Sequence, residues 1–189
     1  MTGSMCNRFV PLLVYLATIA TAIDQDHCVW YKECIVDNIR KNCVYNGPPL
    51  PLKDLEALNT IIKMCPSLIE DHFKGSSKEL SLCCDADQVR TLAMNMNIPQ
   101  QYFSRCPSCL QNFVQLWCQL TCSPKQSSFL NVTGTVDAEG KAAVQEIQYH
   151  VTNTFVSGVF NSCRYVQDPS TNQRVMNIMC RGKCLTFHC

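Results

Sequence analysis

The chain has 189 residues, with 16 Lys and Arg against 15 Asp and Glu, and 15 cysteines. A net charge of +1 argues against a protein held electrostatically to nucleic acid or to an anionic membrane, because either would carry a basic excess.

The chain opens "MTGSMCNRFVPLLVYLATIATAIDQ". Arg8 precedes an apolar run from Phe9 to about Ala20, too short to span a bilayer, which takes roughly 20 apolar residues. The small residues Ala20 and Ala22 then complete the layout of a secretory signal. Residues 1–22 are therefore expected to be removed, leaving 167 of the 189 residues, enough for one domain. Arg8 leaves with the signal, so basic and acidic residues balance, and no later run is apolar enough to cross a membrane. Cys6 leaves too. The 14 cysteines that stay make up about 8% of a secreted chain, the density of a disulfide framework in an oxidising lumen. Counting alone leaves the connectivity open.

Taken in order, "CVWYKECIVDNIRKNCVYNGPPLPL" is a tight cysteine cluster ending in an extended turn at Gly47, Pro48, Pro49 and Pro51. In "LKDLEALNTIIKMC" the spacing of Leu55, Leu58, Ile61, Ile62 and Cys65 predicts a helix. After a polar stretch, "LSLCCDADQVRTL" sets Cys83 and Cys84 ahead of a second helix over 85–97. Asp85 caps it, Gln88 nearly completes a capping box, and Pro99 is expected to end it. Pro107 starts "PSCLQNFVQLWCQLTC", with Leu110, Phe113, Val114 and Trp117 as its apolar stripe and Cys118 and Cys122 on a second face. "SPKQSSFLNVTGTVDAEGK" reads as loop or short strand and holds the one glycosylation sequon of the mature chain, at Asn131. A long helix is expected from about Ala142 to Tyr165, with Ile147, Val151, Phe155, Val159 and Phe160 inward. The tail, "MCRGKCLTFHC", is irregular. The fold class is α+β: a helix-rich, disulfide-cross-linked single domain with a small mixed sheet and an apolar pocket.

No catalytic constellation is visible. Secreted phospholipases also set adjacent cysteines before an Asp, but their helix carries a histidine, and residues 84–97 have none. There is no Gly-x-Ser-x-Gly elbow and no His-Glu-x-x-His pair. Cys180, Cys184, His188 and Cys189 have a spacing that metal could use, yet in an oxidising lumen disulfides are the expected fate. The chain is read as a non-enzyme with no metal and no cofactor.

On a helical wheel Gln88, Thr91, Leu92 and Asn95 share one strip, beside an apolar strip of Val89, Ala93 and Met96. The first strip is either a wet face on which Gln88 merely closes the cap, or the wall of a cavity. A greasy wall with a few hydrogen-bonding groups suits an apolar ligand carrying one polar handle.

"CVWYKEC", "NCVYNGPPLPL", "LSLCCDADQVRTL", "SRCPSCLQNFVQLWCQLTCSPKQSSFLNVT" and "NSCRYV" together resemble the lumenal N-terminal domain of the Niemann-Pick type C intracellular cholesterol transporter family. The resemblance runs from about Cys28 to Cys180. It implies a cholesterol or oxysterol pocket, with the sterol hydroxyl held by Asn42 and Gln88. It places Trp30, Glu33, Thr91, Leu92, Asn95, Pro99 and Trp117 on the wall, and Ile178 and Met179 at a mouth that meets a soluble lumenal sterol carrier. It also implies disulfides Cys28–Cys83, Cys34–Cys43, Cys65–Cys118, Cys84–Cys122 and Cys109–Cys163. The implied setting is the secretory pathway, with delivery to the late endosome or lysosome, or secretion of a short form.

The family domain continues past Cys180, and "RGKCLTFHC" does not resemble that continuation, so residues 23–189 are read as a C-terminally truncated domain. Cys106 then lacks its expected partner and is left to pair with Cys184 or Cys189, or to stay free. Two alternatives remain open: a secreted folate-like vitamin carrier, and a fragment that binds nothing small.

Overall fold

A computed structural model describes residues 26–73, 79–168 and 170–179. The expected signal, residues 1–22, and the tail cysteines Cys180, Cys184 and Cys189 lie outside the described residues.

Two hairpins make the sheet. Strands β1 (Cys28–Val36) and β2 (Ile39–Gly47) are joined by Asp37 and Asn38, at φ 50° and 63°. Asp and Asn tolerate this left-handed region, and two such residues give the turn whose twist matches paired strands. Strands β5 (Leu130–Ala138) and β6 (Lys141–Tyr149) turn the same way through Glu139 and Gly140, at φ 53° and 84°. Asp137 accepts the Gly140 N–H at 3.2 Å. The strand order is β1-β2-β6-β5, and the sheet curls enough for Cys34 of β1 to pack with Ala138 of β5. Two short strands, β3 (Leu50–Pro51) and β4 (Ser81–Leu82), pair separately. Every described pairing is antiparallel, where a mixed sheet was expected.

The helices form the second layer. Helix α1 (Leu55–Met64) is capped by Asp54, which accepts the Ala57 N–H at 2.8 Å, and α2 is Pro66–Phe73. Helices α3 (Ala86–Phe103) and α4 (Pro107–Cys122) pack side by side. A short 3-10 turn, Gln126–Ser128, leads into β5, and α5 (Asn153–Cys163) and α6 (Val175–Met179) follow the sheet. Ile61, Leu68, Leu82, Val89, Leu92 and Met96 meet in the main core. A second cluster gathers Phe103, Val175 and Cys109–Cys163.

Among the described residues five disulfides tie these layers together, in the pairs the resemblance implies. Cys28–Cys83 and Cys84–Cys122 send the two adjacent cysteines to β1 and to the end of α4. Cys65–Cys118 joins the α1–α2 corner to α4. Cys34–Cys43 crosses the first hairpin, and Cys109–Cys163 joins α4 to α5. Among the described residues Cys106 has no disulfide partner; its thiol sits 3.6 Å from the Ser162 carbonyl.

Two sequence expectations are corrected. Pro99 does not end its helix: α3 runs on to Phe103. Proline removes the hydrogen bond to the carbonyl four residues back, here that of exposed Asn95, where water can take its place. Burial of Pro99 and Phe103 outweighs the loss. Residues 142–165 are not one helix either, but strand β6 followed by α5. Ile147, Val151 and Phe155, expected inward, are 38–39% exposed. Their spacing of four lies close to the helical period of 3.6 and is also a multiple of the strand period of 2, so it could not separate the two states.

Candidate functional site

The site begins with an irregularity in the first hairpin. Trp30 pairs with Val44 and Glu33 with Asn42, so β1 carries one residue more than β2 between those pairs. The chain absorbs it as a β-bulge at Lys32, φ 70°. A bulge leaves a backbone group out of the ladder. Here the Lys32 N–H is donated to Gln88 Oε1 at 2.8 Å.

Gln88 sits in the first turn of α3 and is 2% exposed. Its Oε1 also accepts the Asp85 N–H at 3.1 Å, while Asp85 accepts the Gln88 N–H at 3.0 Å, a complete capping box. Two backbone donors on Oε1 fix the amide's orientation, because the opposite flip would set N–H against N–H. Nε2 therefore points the other way and donates to Asn42 Oδ1 at 2.9 Å. Gln88 is not on a wet face: it is buried, and its amide is used at both ends. One end of the amide closes the cap, and the other faces the hairpin.

Asn42 and Gln88 lie on the wall of a half-open cavity of about 450 Å³ between the hairpin, α3 and α4. This is within the usual range of about 300–1,000 Å³ for small-molecule sites. Glu33, Thr91, Leu92, Asn95, Pro99 and Trp117 line it too. Eight of the nine positions expected at the hydroxyl end and the wall are thus brought together, four of them (Gln88, Thr91, Leu92 and Asn95) on one strip of α3. Trp30 is the ninth and is not on the wall. It is 2% exposed, and its indole N–H reaches the carbonyl of lining residue Thr121 at 3.3 Å, so it supports the wall from behind. Ile178 is half-buried on α6 and does not line this cavity. The side chain of Met179 lies outside the described residues.

The wall also includes Arg40, Lys41, Met96, Phe113 and Thr121. Phe113 and Met96 are legible as apolar stripes, though not as wall. Arg40 and Lys41 carry no sequence signal, since the register of the hairpin decides which cations face α3. Arg40 donates to Glu33 Oε2 at 3.1 Å, and the Lys41 ammonium donates to Gln145 Oε1 at 2.7 Å.

Chemically, the amide pair offers uncharged hydrogen-bonding groups to the cavity. With one N–H on Asn42 Oδ1, Gln88 Nε2 keeps a second N–H, and Asn42 keeps both of its own and a lone pair on Oδ1. That set can donate to a hydroxyl oxygen and accept its proton without burying a charge. The described residues hold no group of His, Cys, Asp and Glu that could take a metal, and none of their helices is long and apolar enough to cross a membrane.

The sequence profile of the Niemann-Pick C1 N terminus matches residues 25–188. The chain belongs to the Niemann-Pick C1 N-terminal family. Among its relatives, "NPC intracellular cholesterol transporter 1" of Sus scrofa is 40% identical over 176 residues, covering 89% of this chain and 13% of that protein. Homolog 1b of Drosophila melanogaster is 30% identical over 177 residues, 91% of this chain and 14% of its own length. "NPC1-like intracellular cholesterol transporter 1" of Rattus norvegicus is 30% identical over 164 residues, 81% of this chain and 12% of that protein. The chain thus spans 12–14% of the length of these relatives.

Proposed function

We propose that this chain is a non-enzymatic sterol-binding domain of intracellular cholesterol transport, taking cholesterol or an oxysterol in the 450 Å³ cavity with its hydroxyl at Asn42 and Gln88. The observation that carries the reading is the neutral amide pair, joined at 2.9 Å, on a wall that also presents Leu92, Met96, Pro99, Phe113 and Trp117. A sterol gains most of its binding free energy by removing apolar surface from water, about 25 cal/mol per Å². Its one hydroxyl costs about 1–3 kcal/mol if buried unpaired. Two amides meet it in either hydrogen-bonding direction, whereas a lone carboxylate or ammonium would bury a charge.

In this reading residues 1–22 direct the chain into the secretory pathway, towards the endosomal and lysosomal lumen, and exposed Asn131 on β5 carries a glycan. A soluble lumenal carrier exchanges sterol near Ile178 and Met179. Titration of the oxidised, delipidated protein with radiolabelled cholesterol tests the core of it. Saturable binding at one sterol per chain, weakened by Asn42→Leu, is expected. Non-saturable uptake, or an Asn42→Leu variant binding as tightly as wild type, removes the assignment.

A further inference from the structure

The cavity wall carries one carboxylate, Glu33, and the guanidinium of Arg40 lies 3.1 Å from it. The carboxylate side chain is 14% exposed and the arginine 62%. The same Arg40 nitrogen reaches Thr91 Oγ1 at 3.5 Å, so the side chain spans from the hairpin to α3. It does so next to the amide end: Glu33 is the strand partner of Asn42, and Thr91 lies about one turn beyond Gln88. A smaller cavity of about 290 Å³ shares both Glu33 and Arg40. Its other charged residue, Asp87, is held by Arg90 at 2.9 Å. Lys41, the remaining charge on the main wall, is turned onto the neutral amide of Gln145.

We infer that the Glu33–Arg40 pair sets the charge selectivity of the cavity, with Arg40 as the specificity-determining residue. The inference rests on the sterol reading above. While Glu33 holds the guanidinium, the hydroxyl end is locally neutral. It accepts a free alcohol and offers no unpaired guanidinium to offset the cost of burying a sulfate ester's charge. Without Glu33 the guanidinium is released beside the amides, and its planar fork of donors fits a sulfate.

The test measures binding of radiolabelled cholesterol and of cholesteryl sulfate to wild type, Glu33→Gln, Glu33→Gln/Arg40→Gln and Glu33→Gln/Lys41→Gln. The quantity read is the ratio of the two affinities, so a general weakening of the site cancels. Wild type is expected to favour cholesterol. Glu33→Gln should shift the ratio towards the sulfate by about tenfold or more, the size of one charge-assisted hydrogen bond. That shift should vanish when Arg40 is also replaced and survive when Lys41 is. An unchanged ratio in Glu33→Gln, a shift that persists without Arg40, or a wild type that takes both ligands equally overturns the inference and leaves the sterol reading standing. Failure of wild type to bind cholesterol would overturn that reading, and this inference with it.

Discussion

Gln88 is the residue whose replacement separates support of the fold from contact with a ligand. Gln88→Ala removes three hydrogen bonds: from Lys32 N–H at 2.8 Å, from Asp85 N–H at 3.1 Å, and to Asn42 at 2.9 Å. Asn42 faces the cavity and loses little. The two backbone donors are part-buried, one on the β1 bulge and one at the root of α3. Leaving each without an acceptor costs about 1–3 kcal/mol. Taking the lower half of that range, because neither is fully enclosed, gives about 2–4 kcal/mol. For a domain of this size each kcal/mol moves Tm by about 2–4 °C, so Tm should fall by about 5–15 °C. The assay is thermal unfolding followed by circular dichroism, with disulfides intact. Gln88→Met fills nearly the same volume but accepts no backbone N–H, so it should recover only the small cavity contribution. A Gln88→Met protein that melts with wild type would refute the reasoning, because the bulge and the helix root would then not depend on this side chain.

Asn42→Leu, which leaves one Gln88 N–H without its acceptor, should lower Tm less than Gln88→Ala does, yet weaken cholesterol binding about tenfold to a hundredfold, the cost of one buried hydroxyl left half-satisfied; thermal melts and equilibrium binding measure the two effects. Replacing Cys109 and Cys163 together by Ser opens a bridge that spans 54 residues, worth about 4 kcal/mol by loop entropy. Denaturant unfolding reports that loss, and hydrogen exchange should place it in α5 and α6. Asp54 caps α1, and the Ala57 N–H it accepts, helped by Arg90, holds its carboxyl below its usual value of 3.8. A lowered folded-state pKa stabilises above the unfolded value and is lost as pH falls through the folded one. Acid should therefore loosen α1 only below about pH 4, an acid sensitivity that Asp54→Asn abolishes in a pH series of melts. Expressed through the secretory pathway, the protein should lose one glycan's mass in Asn131→Gln; a mass unchanged from wild type counts against lumenal exposure of β5.

The secondary structure was legible where one period or one cap was unambiguous. The spacing of Leu55, Leu58 and Ile61 announces α1, Asp85 announces α3, and Pro107 opens α4. It was illegible where two states share a spacing, as for Ile147 and Val151, or where local chemistry and packing oppose each other, as at Pro99. The hairpin signal that could have separated them is Glu139–Gly140: a glycine bracketed by alternating residues marks a two-residue turn, and that turn commits 141–149 to a strand. The candidate site divides the same way. Gln88, Thr91, Leu92 and Asn95 share a strip because a helix forces them to. Trp30 could not be placed behind the wall rather than on it, because the bulge at Lys32 changes which β1 residues face α3.

What the chain's residues determined alone was the family and the need for a disulfide framework, since these reside in motif and cysteine density. Only the tertiary structure decided that both ends of the Gln88 amide are used at once and that Arg40 is spent on Glu33. The reason is geometric. Residues 46 and 56 positions away from Gln88 become its partners through the register of one hairpin and the docking of one helix, and no local pattern encodes either.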